Sequence, residues 1–316
     1  MRCARPGSAG ATGSGTSVEL QRPSSLDALD GAAHDGPPGD GSVFVHGGTE
    51  VVPLLRDRIL TAERLVDVRG IVPRGVSVST TLTSREQLPG DNSFTGVTVG
   101  AGTTLAELEV DPEIPDALRE ACRVAASPQL RNMGSIGGNL LQATRCWYWR
   151  LKFPCRLHGG DRCHAREGEH REHAIFANDF CASAHPSDVA AALVALDATL
   201  RTNRRELSVR DLYRLPDEAN RSTTTLEPGE LILELRVPRP DASVYLKAMD
   251  RKRFAFPLVG VAATRTGGAT RIALAGVAPI PWLLEGDVDA ATPLPQTAYK
   301  VDVARALIRR ARAAVA

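Results

Sequence analysis

Leu130-Arg131-Asn132-Met133-Gly134-Ser135-Ile136-Gly137-Gly138-Asn139 reads as a glycine turn set between a helix and a cysteine-rich segment. Glycine permits positive φ and lets a ligand approach the backbone with no Cβ in the way. Amides in such a turn are suited to a phosphate. Upstream, Ala117, Leu118, Ala121, Cys122 and Ala125 share one face of a helix that starts near Pro115. It stops near Ser127-Pro128, because a residue before proline is pushed out of the helical region. Downstream, seven residues after Asn139, comes Cys146-x8-Cys155-x7-Cys163-His164, then sixteen residues and Cys181. A soft-ligand cluster beside a phosphate cradle points to a metal centre next to a nucleotide cofactor, a redox pairing.

A second glycine turn lies further upstream. Val43-Phe44-Val45 reads as a strand, and His46-Gly47-Gly48-Thr49-Glu50 opens a helical pattern with Val51, Leu54, Leu55 and Ile59 apolar. Strand, glycine turn and helix together present amides and a positive dipole end to an anion. Neither turn has the G-x-G-x-x-G spacing, which disfavours a Rossmann site.

The segment from Cys146 to Cys181 holds four of the six cysteines and four of the seven histidines. Three readings stay open from spacing alone. Disulfides are disfavoured in a reducing compartment. Structural zinc would usually show paired Cys-x2-4-Cys knuckles, which are absent. An iron–sulfur cluster needs four thiolates, and Cys146, Cys155, Cys163 and Cys181 supply four, though not in a common ferredoxin spacing. Cys3 lies in the tail, and Cys122 suits a small buried hydrophobe. His158, His164, His170 and His173 read as solvated loop residues, and His185 as shaping the turn before Pro186. Trp147, Tyr148 and Trp149 are placed to pack under the loop and shield a cluster from water. Asp188 and Lys247 carry no motif and read as surface charges.

The 38 basic and 37 acidic residues nearly cancel, which leaves no electrostatic case for nucleic acid or an anionic membrane. No apolar run is long enough to span a bilayer. Residues 1–16 lack the apolar centre of a signal peptide and read as a disordered tail, so the chain is expected in the cytoplasm. Residues 35–41 read as a polar loop. Further strands are expected at Val18–Leu20, Leu65–Val68, Val76–Val78, Val97–Val99, Leu231–Val237, Tyr245–Ala248 and Arg271–Ala275. Helices are expected from Ser187-Asp188 to Ala198 and over Val301–Val315. The class is α+β.

Together these residues resemble one known family, the FAD-binding medium subunits of molybdenum hydroxylases. The likeness rests on Val45-His46-Gly47-Gly48-Thr49-Glu50, Gly100-Ala101-Gly102-Thr103-Thr104-Leu105, the Leu130–Asn139 run, Pro186-Ser187-Asp188, Gly229-Glu230-Leu231-Ile232 and Tyr299-Lys300. It implies a two-subdomain FAD-binding domain of the vanillyl-alcohol-oxidase type over 17–216. A smaller α+β domain of the CO dehydrogenase flavoprotein type would follow over 217–316. The cysteine insertion, with Asn139-Leu140-Leu141-Gln142-Ala143-Thr144-Arg145-Cys146 before it, is similar to the branch carrying an extra 4Fe–4S cluster, the aldehyde oxidoreductase and 4-hydroxybenzoyl-CoA reductase types.

By that resemblance Phe44, Val45, His46, Gly47, Gly48, Thr49, Glu50 and Val51 would wrap the FAD pyrophosphate. Gly134, Ser135, Ile136, Gly137, Gly138 and Asn139 would form the second cradle. Ala125, Asp188, Leu233, Lys247 and Phe254 would complete the cofactor site, and the four cysteines would ligate the cluster. No catalytic residue is expected on this chain. At this size there is no room for a molybdopterin domain, and no plant-type ferredoxin pattern occurs. A molybdopterin-binding large subunit, a 2Fe–2S small subunit and an external electron acceptor are therefore implied. Two other classes are weighed against this one: a self-contained FAD oxidase, and a zinc-stabilised, non-catalytic assembly subunit.

Overall fold

The computed structural model describes residues 18–29, 41–79 and 94–316. Cys3, the 1–16 tail and most of the 35–41 loop lie outside the described residues. The N-terminal layer is a parallel sheet of β1 (Glu19–Gln21), β2 (Ser42–Val45) and β3 (Arg64–Asp67), in the order β1-β3-β2. Helix α1 (Val51–Arg56) connects β2 to β3, as a parallel pair requires a crossover.

An antiparallel sheet comes next: β4 (Val76–Ser79), β5 (Gly96–Gly100), β6 (Thr199–Thr202), β7 (Glu206–Ser208) and β8 (Ile232–Pro238), in the order β4-β5-β8-β6-β7. Because β8 pairs with both β5 and β6, this sheet continues past the boundary expected at residue 216. Between β5 and β6 the chain forms α2 (Leu105–Leu108), α3 (Asp116–Val124), α4 (Pro128–Met133), α5 (Ile136–Leu140), α6 (Trp147–Arg150), α7 (His164–Glu167) and α8 (Asp188–Ala195). Cys122 is fully buried on the apolar face of α3.

The last layer is β9 (Ala242–Ala248), β10 (Val259–Thr266), β11 (Ala269–Ala275) and β12 (Trp282–Leu283), an antiparallel sheet in the order β12-β11-β10-β9. Helix α9 (Tyr299–Val315) packs against β9 and β10, while α3 and α8 reach the sheet too. Every residue of α8 is buried, which is why its sequence after Asp188 is apolar all round instead of striped. Strand β10 is buried over six consecutive residues. Covered on both faces, it has no apolar–polar alternation and escapes a period-2 reading.

Two cores result. The larger joins the first two sheets to α3, α5 and α8, and the smaller lies between β10, β11 and α9. Ile175 and Phe176, from the cysteine-rich segment, belong to the smaller core. Their amides donate to Val277 O at 2.7 and 2.9 Å, so this segment docks on the C-terminal layer.

Candidate functional site

The two glycine turns meet. A Cβ on Gly47 would overlap the carbonyl of Met133, the last residue of α4, so the first turn can lie against the second only as glycine. The Gly100–Leu105 run is stitched to the second turn from the other side. Ile136 N donates to Thr103 O (2.8 Å), Gly137 N to Ala101 O (3.0 Å) and Leu105 N to Gly134 O (3.0 Å). Ser135 caps α5 by accepting from Gly138 N at 3.2 Å.

These contacts redistribute the roles expected of the two turns. The amides of Gly134, Ile136, Gly137, Gly138 and Asn139 are engaged within the protein. Those of Gly47, Gly48, Thr49 and Glu50 take no such internal partner among the described residues. The second turn therefore supplies shape and close approach, and free donors come from the first.

Between them lies a cleft with ≈ 1180 Å³ of empty space, open solvent included. Phe44, His46, Gly47, Gly48, Thr49, Glu50 and Val51 line one side, and Gly134, Ser135, Gly137, Gly138 and Asn139 the other. Val68, Val72, Leu105, Leu130, Leu231 and Ile232 add apolar wall. His46 Nδ1 is buried with no partner, and burial, with Arg69 and Arg74 nearby, holds the imidazole pKa below its ordinary value. A buried imidazole nitrogen lacking a partner, free turn amides and an apolar wall fit a dinucleotide with a flat ring system.

Not every residue expected at the cofactor faces this cleft. Val45 and Ile136 are in the same runs but point away, and Ile136 is in the core. Leu233 is buried in the core beneath Leu231 and Ile232, and Ala125 accepts from Arg131 through its carbonyl while Ala126 reaches the cleft. Asp188 and Lys247, read as surface charges, both have buried side chains, with Asp188 Oδ2 2.8 Å from Lys247 Nζ. Tyr245 donates to Asp188 Oδ1 at 2.5 Å, and Lys247 donates to Val124 O at 3.1 Å. Burial pushes the Asp188 carboxyl up, against the opposing pull of Lys247 and Tyr245. The pair thus ties α8 to β9 and to the end of α3.

Phe254 adopts a left-handed φ of 58°, a conformation that costs a non-glycine residue roughly 1–3 kcal/mol. It lines a second cavity, with Arg145, Cys146, Trp147, His173, His185 and Phe256. Arg145 and Phe256 belong to both cavities, the guanidinium lying 4.9 Å from the ring centroid. Sequence reasoning passed over both; the one signal was Arg145's place directly before Cys146.

All four cysteines of the insertion line one small cavity together with Tyr148, Trp149, Leu157 and Phe180. Among the described residues no group of three or more His, Cys, Asp or Glu side chains could hold a single metal ion. Burial pushes the free thiols of Cys146 and Cys181 up, to about 11 and about 12. Metal ligation would instead take them as thiolates. Cys146 has polar neighbours: His173 Nε2 lies 3.2 Å from its sulfur, and the amides of Trp149 and Tyr148 donate to it. His170 and His173, read as solvated, are both buried.

His185 is also buried and packs edge-on against Tyr213 at 5.0 Å. Desolvation holds its imidazole down at about 3. Between pH 6.5 and about 3 the unfolded chain binds a proton there that the folded chain does not, so stability falls with pH across that window. Replacing His185 with Gln should flatten this acid limb by roughly 3 kcal/mol in urea titrations at pH 7 and pH 4.5. An unchanged limb would assign it to other groups.

The profile described as the FAD binding domain in molybdopterin dehydrogenase matches residues 16–240. The FAD-binding subunit PaoB of an Escherichia coli aldehyde oxidoreductase is 35% identical over 259 residues, 78% of this chain and 77% of that protein. The medium chain of carbon monoxide dehydrogenase from Afipia carboxidovorans is 26% identical over 269 residues, 82% of this chain and 76% of that one. Among solved structures, a chain of reconstituted CO dehydrogenase from Oligotropha carboxidovorans superposes with a TM-score of 0.64 at 22% identity. That match covers 95% of this chain and 97% of the other and shows the shared fold. The profile, the sequence relatives and the cleft agree: the chain belongs to the family of FAD-binding subunits of molybdenum-dependent oxidoreductases.

Proposed function

We propose that this chain passes electrons from iron–sulfur centres through FAD to an external acceptor, within a heteromeric molybdenum hydroxylase that oxidises an aldehyde, a purine or a related substrate. The meeting of the two glycine turns around one cleft, with the four-cysteine cavity beside it, carries this reading. When bound, FAD accepts electrons singly and releases them in pairs. The chain's part is positional. The amides of Gly47 to Glu50 would hold the anionic linkage, the Gly134–Gly138 turn shapes the opposite wall, and Val68, Val72 and Leu231 would exclude water.

A molybdopterin-binding large subunit and a 2Fe–2S small subunit complete the proposed assembly, and 35% identity to an aldehyde oxidoreductase subunit favours an aldehyde. The proposed domain division falls near residue 240, where the profile ends and the four-stranded sheet begins. Free cysteines suit a reducing compartment, so the cytoplasm is the proposed location. No helix among the described residues is long and apolar enough to cross a membrane.

We also propose that Cys146, Cys155, Cys163 and Cys181 hold one 4Fe–4S cluster. Each iron of such a cluster takes one thiolate, so donors ringing a cavity suit it better than a single zinc. Anaerobically purified protein should show flavin bands plus a broad iron–sulfur shoulder, with about four irons per chain. Cys155→Ser should lower the iron content, while Cys122→Ser should alter packing only. One zinc and no iron would overturn the cluster and leave the flavin reading standing. Flavin that stays in an acid-precipitated pellet would indicate a covalent oxidase instead.

A further inference from the structure

Glu50 belongs to the first glycine turn and lines the cleft. Its position before α1 is that of a helix cap, yet its side chain makes no cap hydrogen bond. It turns instead toward a segment about a hundred residues away. Oε1 accepts from Arg150 Nη2 at 2.6 Å and from Ala143 N at 3.2 Å, and Oε2 lies 2.7 Å from Arg145 Nη2. Arg150 also donates to Thr144 O (2.9 Å) and Ala143 O (3.3 Å). One carboxylate therefore gathers Ala143, Arg145 and Arg150, which bracket Cys146 on both sides.

The energetics make this more than a surface ion pair. The side chains of Glu50, Arg145 and Arg150 are only 17%, 30% and 18% exposed. Among the described residues, Glu50 is the acidic partner of both arginines. Partly buried charges of like sign that lose their shared counter-ion become costly. The geometry of Glu50 in turn depends on the Gly47–Glu50 backbone, the part of the turn whose amides take no internal partner among the described residues.

We infer that Glu50, through Arg145 and Arg150, couples occupancy of the cleft to the order of the segment that presents Cys146. A ligand that fixes the first turn fixes the carboxylate, and the carboxylate fixes residues 143–150. Linkage makes the effect reciprocal, so a well-ordered segment tightens the cleft for its ligand by the same factor. This rests on the reading of the cleft as the FAD site. Glu50 is a positioning residue here, acting on Cys146 through its two arginine partners.

Hydrogen exchange on the full chain, stripped of FAD and then reloaded at saturating FAD, tests the coupling. In the parent protein FAD should slow exchange across 143–150 by about tenfold. Arg150→Gln, at a residue that lines none of the described cavities, should bind FAD about tenfold more weakly and lose most of that FAD-dependent protection. Glu50→Gln should lose it too. A merely structural role would lower protection equally with and without FAD and leave the FAD-dependent difference intact, which would overturn the inference. Parent protein that binds FAD without protecting 143–150 would overturn it also, with the flavin reading still standing. Parent protein that binds no FAD would bring both down.

Discussion

Gly47→Ala is expected to empty the cleft of flavin. The added methyl would overlap the Met133 carbonyl, a backbone atom that cannot swing aside as a side-chain end could. The two turns must separate, and the separation falls where free amides and the opposite wall have to meet one molecule. A weakening of FAD affinity by at least about a hundredfold, ~3 kcal/mol, is expected. Flavin released on gel filtration and a fluorescence titration would both read it. Gly70→Ala is the matched control, because its Cβ would meet open space, and it should keep the parent affinity. Retention of flavin by Gly47→Ala at parent affinity would mean that the two turns do not form one site.

Lys300→Met should be the most destabilising change outside the cleft. This lysine is fully buried. Its ammonium donates to Glu172 O, His173 O and Gly276 O at 2.8, 2.9 and 2.9 Å. Methionine fills a similar volume but leaves these acceptors unpaired, at about 1–3 kcal/mol for each buried one. A fall of roughly 10 °C in the unfolding midpoint is expected. The segment around His173 should also become the preferred site of proteolysis. A midpoint within a degree or two of the parent would show that water replaces the lysine at those carbonyls.

The parts of this molecule legible in its sequence are those with local periodicity or unusual composition. Helix α3 shows its stripe, β8 its alternation, and the glycine turns and cysteine set their clustering. Where a contiguous motif was taken whole, geometry divides it. Successive strand residues face opposite sides, so Phe44 reaches the cleft and Val45 does not. A helical turn likewise sends Ile136 inward while Gly137 and Gly138 line the cleft. The hidden features are pairwise and long-range. Nothing local to Asp188 announces Lys247, and nothing near Glu50 announces Arg145 and Arg150. Tyr245 reaches Asp188 because Gly260, diagonal to it on β10, has no Cβ to block the hydroxyl. Strand β10 is itself concealed by burial on both faces.

The Lys300 contacts also set an order of events in time. The chain is made from its N-terminus, so the four cysteines exist well before residue 300 does. Lys300 reaches Glu172 O across 128 positions, and Gln296 meets His170 across 126. Until those residues have been synthesised and α9 has docked, the segment from Glu169 to His173 lacks its clamp. The stretch between Cys163 and Cys181 is therefore pinned only after the last helix has been made, and its final packing belongs to the end of synthesis instead of the middle.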